Sequence, residues 1–588
     1  MKRNIIFFVF GLFMILGCEK LKVGDAFLEK APGVDVTIDT VFSSLDNAER
    51  FLWGAYTTLH YGLNTDDGNY NNLLRRDLLE SLTDLCQSFL LDGGAQVLYY
   101  SGQINSNTTN SSQKFHITYE NTWVAVRKCQ IFMENIDRVP GIDSDYASVL
   151  KAEAKMIMAC HYADMYRHMG GMPWLNKAYK VSDELGQFPR LTALDMCDSI
   201  VALCDEAAAI LPWKIDNSAE WDGRFVKIGA MALKARVLLF TASPLFNDTE
   251  PYLAGEAADK HYVWHGAYDN NLWKRAMDAA HDVIQAAEST GDYKIYHKVG
   301  NSFRQDFQDA YYLRGNGEVL ISVRDRFRSP TSGSTSYYFY ASATWGCGLV
   351  THDAVDMFPM ANGLPINAPG SGYVATNPYA NRDPRLYETA VVNGDTYKGR
   401  TAELWLGGRE RLTAAATIAA TGYPLRKFLL ESNTATSRGS IIHWPYLRLA
   451  EIYLSYAEAA NEYNNGPTAE AYRCVNIIRN RVGLPNLAAG LSKEEFREAC
   501  ILERALELAF EEVRWFDLIR WKREDDFKKP LHGMNITRSG SAPYTYTYNV
   551  WPCTPRYWSL NWSPKWYLSH LPETEINKGY GLVQNPGW

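Results

Sequence analysis

The chain has 588 residues, more than one compact core usually holds, so one large domain or two closely joined ones are expected. Apolar residues make up 46%, enough for a sizeable core, and aromatics reach 13%, with 36 Tyr and 17 Trp. The formal net charge of −8, without a basic cluster, argues against nucleic acid as a partner, and the surplus of polar-tipped rings suits surfaces that hold sugars or peptides.

The amino terminus reads as a processing signal. Lys2 and Arg3 precede an apolar run from Ile5 to Leu16, too short to span a bilayer, which needs about 20 residues. The run ends Ile15-Leu16-Gly17-Cys18, which resembles a bacterial lipoprotein cleavage box. That resemblance implies lipidation of Cys18, cleavage before it and N-acylation, and several acyl chains on one residue anchor stably. Removal of residues 1–17 takes Lys2 and Arg3 with it and moves the net charge to −10. Of the other nine cysteines, six sit in helical patterns and none forms a CxxC, so buried free thiols are expected rather than a disulfide framework. No second segment is long and apolar enough to cross a membrane.

Residues 18–43 form a tether. A first helix is predicted over 44–59, and loops over 61–72 and 101–114, which are rich in Asn, Gly, Ser and Thr. Helical patterns then come in pairs: 121–138 with 145–169, and 192–211 with 224–243. A single pattern covers 272–288, and another pair covers 446–464 and 468–482. Small residues recur where helices must approach closely, at Ala152, Ala154 and Ala159, Ala230, Ala232 and Ala235, and Ala457, Ala459 and Ala460. This predicts a mainly α chain, a tetratricopeptide-like scaffold of helical hairpins. The texture changes between 293 and 443, where Gly, Pro, Ser and Asn are frequent and Glu318–Arg324 and Ala390–Val392 are strand-like. A large loop-rich insert is expected there, and an irregular, aromatic tail over 523–588.

The stretch Lys493–Trp521 is predicted to be one amphipathic helix. Ser492 and Glu495 have the spacing of a capping box, and Leu502, Leu506, Ala509, Val513 and Phe516 lie on one stripe. Glu503, Glu507, Glu511 and Arg514 fall on another face, expected to be solvated. The wording of this helix, with Glu503-Arg504, Glu507 to Glu511 and Arg514 to Trp521, resembles the carboxy-terminal signature of the SusD/RagB family of nutrient-binding surface lipoproteins. Further runs agree in order: Asp46 to Glu49; His161 to Tyr166 with the turn Gly170-Gly171-Met172-Pro173; Pro189-Arg190; Ala232 to Leu239; Asp383-Pro384-Arg385; Gly422 to Phe428; Leu447 to Glu451; Asn476 to Pro485; and Gln584 to Trp588. Most of these residues read as structural, with Arg236, Arg448 and Arg479 bracing helices.

No HExxH, GxSxG or GxGxxG occurs. Gly394–Thr401 has the glycine spacing of a P-loop, but Arg400 stands where that motif needs Lys. His161 and His168 share a helix face without an evident third ligand, so no metal and no cofactor are expected. Carboxylate pairs suited to glycoside hydrolysis are a property of the fold and cannot be read from spacing. The resemblance implies instead a non-catalytic protein at the outer membrane, lipid-anchored and facing the exterior. It would bind oligosaccharide or polysaccharide fragments and deliver them to a SusC-like TonB-dependent transporter. A binder of peptides or another non-sugar nutrient is the alternative. Tyr337, Tyr338, Tyr340 and Trp345, in a polar loop ahead of Asp356-Met357-Phe358-Pro359, are the candidate ring platform, because flat rings pack on the CH face of a sugar. Asp84 and Gln87 lie in the other region from which the family builds its site. The expected division is a helical part over 44–292 and a carboxy-terminal part over 293–588, the latter made of the insert 293–443, helices 444–522 and the tail 523–588.

Overall fold

The computed structural model describes residues 37–63, 74, 77–108, 113–118, 121–179, 183, 186–324, 346–411, 419–428 and 443–588. Cys18, Tyr337, Tyr338, Tyr340 and Trp345 lie outside the described residues. Several helices begin where the sequence supplies a side-chain cap for free backbone N–H groups. Ser44 caps α1 (Leu45–Tyr56). After α2 (Thr122–Asn135), Asp143 caps α3 (Ser144–Met169) and Thr192 caps α4 (Ala193–Ala208). α5 (Lys227–Ala242) is followed by α6 (Asn270–Thr290), which is capped by Asp269 and closed by Gly291 at φ 70°.

Each of these helices packs on the next in sequence from α1 to α6. The chain then leaves the stack and returns with α9 (Leu449–Tyr463), which packs on α6 and in turn carries α10 (Ala469–Arg481) and α11 (Lys493–Glu507). The stack is therefore continuous across the insert. The alanines at 152, 154, 159, 230, 232, 235, 457, 459 and 460 are all buried, which permits close helix approach. The excursion between α6 and α9 is clipped at its base: β2 (Val319–Arg324) pairs antiparallel with β4 (His443–Arg448), from Val319↔Arg448 to Arg324↔His443. It carries α7 (Phe303–Tyr312), β3 (Leu349–Val350) and α8 (His352–Met357). The fold is thus mainly helical, with few short strands. The nine cysteines among the described residues are free and buried, and no described helix is long and apolar enough to cross a membrane.

The structure corrects the reading of Lys493–Trp521 in two ways. The capping box of Ser492 and Glu495 is present, but α11 stops at Glu507, and a second helix, α12 (Arg514–Arg520), follows a turn in which Phe510 and Glu512 have φ of 60° and 57°. The break is satisfied from afar: Arg448 Nη2 donates to the Glu507 carbonyl at 2.6 Å, and the Glu512 N–H donates to Glu80. Nor is the charged face solvated. Glu503, Glu507 and Glu511 are buried beneath guanidiniums from three other elements. Arg448 donates to Glu318 and Glu507, both at 2.6 Å, and to Glu511 at 2.7 Å, while Arg481 also reaches Glu507. Arg385 donates to Glu503 at 2.6 Å, and Arg479 to Glu503 at 3.1 Å. Burial alone would raise the Glu507 carboxyl; Arg481, Arg448 and Arg385 outweigh it and hold it well below the usual carboxylate range.

The expected bracing by Arg236 is present, as a pair with Glu451 at 2.5 Å plus a bond to the Tyr446 carbonyl at 2.6 Å. The Gly170-Gly171 turn fits for steric reasons. Gly170 has φ 82°, and a Cβ on Gly171 would lie 2.0 Å from the Leu191 carbonyl oxygen. Arg190 locks the turn by donating to the carbonyls of Gly171, Met169 and Val583. Ala390–Val392 is not a strand; only Ala390 makes a bridge, to Leu425. The tail is more regular than expected, because β5 (His532–Ser539) and β6 (Thr545–Pro552) form an eight-pair antiparallel hairpin.

Candidate ligand-binding face

The stretch that holds Asp84 and Gln87 pairs through its backbone with residues that follow Trp345 in the chain. β1 (Cys86–Gln87) pairs antiparallel with β3, Cys86↔Val350 and Gln87↔Leu349. The zipper extends both ways. Phe89 N–H donates to the Gly346 carbonyl at 2.9 Å, Thr351 N–H to the Leu85 carbonyl at 3.1 Å, and the Thr351 hydroxyl to the Asp84 carbonyl at 2.6 Å. Gly346 directly follows Trp345, so residues 84–89 run beside the chain that emerges from the aromatic segment 325–345.

The side chains of Asp84 and Gln87 serve this framework. Both Asp84 oxygens accept from Arg514, at 2.9 and 2.7 Å, and the pair is 5% exposed on each side. Gln87 Oε1 accepts from Arg556 at 3.2 Å, and Arg556 also donates to the Thr83 and Cys86 carbonyls. A ligand would reach either side chain only by displacing its guanidinium. The segment 88–95 is tied down by Asp77, which is buried and accepts from Ser88, from Ala95 N–H at 3.0 Å and from the Cys347 thiol. Burial raises this carboxyl to about 7 despite those donors. Among the side chains this framework presents to solvent are three large ones: Leu91 is 86% exposed, Tyr557 41% and Leu560 80%. The Tyr557 ring lies on Gly102, where φ is 71° and a Cβ would come within 2.4 Å of the ring.

On the other side of β3, α8 carries Asp356 of the Asp-Met-Phe-Pro landmark. Arg382 donates to the Val355 and Phe358 carbonyls at its end, both at 2.7 Å. His352 meets the Tyr423 hydroxyl at 3.0 Å and Asp356 at 3.6 Å, and His532 meets Asp353 at 2.9 Å, which ties α8 to the tail hairpin. Burial lowers His352 and raises Asp356.

Other sequence candidates resolve as structure. Gly394–Thr401 folds as a tight hairpin, Thr396–Tyr397 pairing with Arg400–Thr401, with no helix to support a phosphate. His161 bonds the Thr58 hydroxyl at 2.9 Å, and burial lowers it to about 4. His168 stacks on Phe115 and meets Phe516 edge to face. Two cavities among the described residues are poor sugar sites. One, lined by His60, Asp164, Arg167, Lys114 and Glu512, has a volume of about 30 Å³, room for about one water. The other, about 270 Å³, is walled by Trp123, Phe188 and Leu582 and has one carboxylate, Glu575, already bonded to Lys578 and Tyr580. It offers too few polar partners to a sugar's hydroxyls.

The fold and this face define a mainly helical chain with a clipped loop layer, and the comparisons with known proteins agree. The model described as the SusD family matches residues 260–588, more than half of the chain, and the chain belongs to that family. SusD-like protein P2 of Formosa agariphila is 24% identical over 393 residues, which cover 65% of this chain and 66% of the relative. SusD-like protein P25 of the same organism is 22% identical over 558 residues, 88% of this chain and 90% of the relative. The crystal structure of a SusD-like protein from Bacteroides fragilis NCTC 9343 superposes with a TM-score of 0.73 at 24% identity, covering 95% of this chain and all of that one. A structure titled as a SusD-like carbohydrate binding protein from the same strain gives 0.66 at 20% identity, with 92% and 99% covered.

Proposed function

We propose that this chain is a non-catalytic, lipid-anchored protein of the cell surface that captures oligosaccharides and hands them to a SusC-like TonB-dependent transporter in the outer membrane. Cys18 carries the anchor in this reading, and Tyr337, Tyr338, Tyr340 and Trp345 supply the ring platform. Asp84 and Gln87 shape the site from beneath, through the backbone they hold. The observation that supports the reading best is the β1–β3 zipper, which sets the segment after Trp345 on a braced edge beside exposed Leu91. Binding loops on rigid scaffolds are the usual arrangement. Family membership, and a structural neighbour titled as a carbohydrate binding protein, support a saccharide as the ligand class.

The test is a panel screen of the soluble chain starting at Glu19 against neutral and acidic polysaccharides, with a peptide pool alongside and reducing sugar followed over time. The reading predicts binding to at least one polysaccharide without release of reducing ends. Binding of peptides alone, or steady release of reducing sugar, contradicts it.

A further inference from the structure

The tail hairpin holds a guanidinium in an unusual setting. Arg538, on β5, is exposed and lies opposite Tyr546 of β6. Its Cζ is 3.6 Å from the centre of the Trp405 ring and 4.2 Å from that of Tyr544. Two rings thus pack against one guanidinium. Trp405 is itself fixed, because it bridges to Ile536 and the following Leu406 N–H donates to the Ile536 carbonyl at 2.8 Å. Among the described residues, Arg538 makes no hydrogen bond and no ion pair. Its five N–H donors are therefore held in a fixed plane by stacking and left open at the edge.

The charge around it is arranged to leave it so. On the turn that follows Trp405, Glu410 is occupied by Arg400 and by the Glu403 N–H at 2.8 Å, and Glu403 accepts from the Arg409 N–H at 3.3 Å. The exposed Arg409 side chain on that turn also has no side-chain partner among the described residues. Arg538 is thus an open guanidinium on a chain whose net charge is −8. A stacked guanidinium offers only its in-plane edge. Two parallel N–H···O bonds at such an edge suit an oxyanion, and a carboxylate is the planar one that matches the fork; a tetrahedral oxyanion such as sulfate is the alternative the test separates. Tyr544, 44% exposed, and Tyr546 beside it offer rings for the apolar face of whatever carries that carboxylate.

We infer that the corner formed by the Trp405 turn and the β5–β6 hairpin is a subsite for the carboxylate of a uronic acid, with Arg538 as the fork and Tyr544 and Tyr546 as the sugar-facing rings. The inference rests on the saccharide reading above and narrows it to acidic chains. The experiment measures affinities of wild type, Arg538→Gln and Arg538→Lys for galacturonate, glucuronate and mannuronate–guluronate oligosaccharides, their methyl esters, a sulfated neutral oligosaccharide, unmodified neutral oligosaccharides and poly-glutamate. Unfolding midpoints are recorded for each variant, since an exposed arginine is not expected to alter them. The expected result is tight binding of one uronate series that falls about tenfold or more on esterification and in both variants, Lys included because it lacks the fork. Neutral chains should not distinguish wild type from variant. Equal binding of acid and ester, equal binding by wild type and Arg538→Gln, or preference for sulfate overturns the subsite and leaves the saccharide reading standing. Arg538-dependent binding of poly-glutamate without any uronate also overturns it. Failure of every saccharide sinks both.

Discussion

At the scale of single residues, this protein hides much of its charge. Asp77 shows what that does to pH dependence. Its carboxyl is raised to about 7 in the fold from 3.8, so between those values the unfolded chain ionises while the folded one stays protonated. Stability from this group therefore falls as pH rises through that window and is level above it. Asp77→Asn stays neutral throughout. The unfolding free energy of wild type minus that of Asp77→Asn is expected to drop between pH 4 and 7 by on the order of 3 kcal/mol, measured by denaturant melts at a series of pH values. Asp84→Ala would strand the buried Arg514 and is expected to lower the unfolding free energy by about 3–5 kcal/mol in the same assay. Glu507 has the opposite sign from Asp77. Its carboxyl is held low, so its contribution is present above the unfolded value and is lost as acid protonates it. Glu503, Glu507 and Glu511 were misread as a solvated face because charges at four-residue spacing look the same whether they meet water or guanidiniums. Their partners Arg385, Arg448 and Arg481 are 59 to 122 positions away or come from another helix, and spacing within one helix carries no trace of them.

At the scale of elements, the long helices were legible because their signals are local: an apolar stripe, an alanine face and a cap. Ser492 is one such signal, and Ser492→Ala is expected to cost about 1 kcal/mol of stability, read as a shift of the denaturant midpoint with an unchanged slope. The end of α11 was not legible, because the Glu507 carbonyl is satisfied by Arg448 on a distant strand and the positive φ values at Phe510 and Glu512 fall on residues that do not advertise them. The same holds for strands. Glu318–Arg324 was visible as a run of apolar residues, yet the second half of its partner His443–Arg448, from Tyr446 on, was read as the start of a helix. The β5–β6 hairpin was missed inside a tail that looked irregular. Its alternation of Tyr546 and Tyr548 with exposed Thr545, Thr547 and Asn549 was the available signal.

At the scale of the whole molecule, the helical stack is one continuous support, and the insert that interrupts it is closed at its base by β2 and β4. Asp84 and Gln87 were picked out in sequence by region alone, and their buried roles were invisible because Arg514 and Arg556 are more than 400 residues away. The central claim is that saccharide is held by the segment ending at Trp345. The most direct measurement is isothermal titration of the polysaccharide ligand found by screening into wild type, Trp345→Ala and Tyr338→Ala, with unfolding midpoints recorded for each. Loss of about 1–3 kcal/mol of binding free energy in either variant, with the midpoint unchanged, is the predicted result. Full affinity retained in both variants would contradict it and move the site away from this segment.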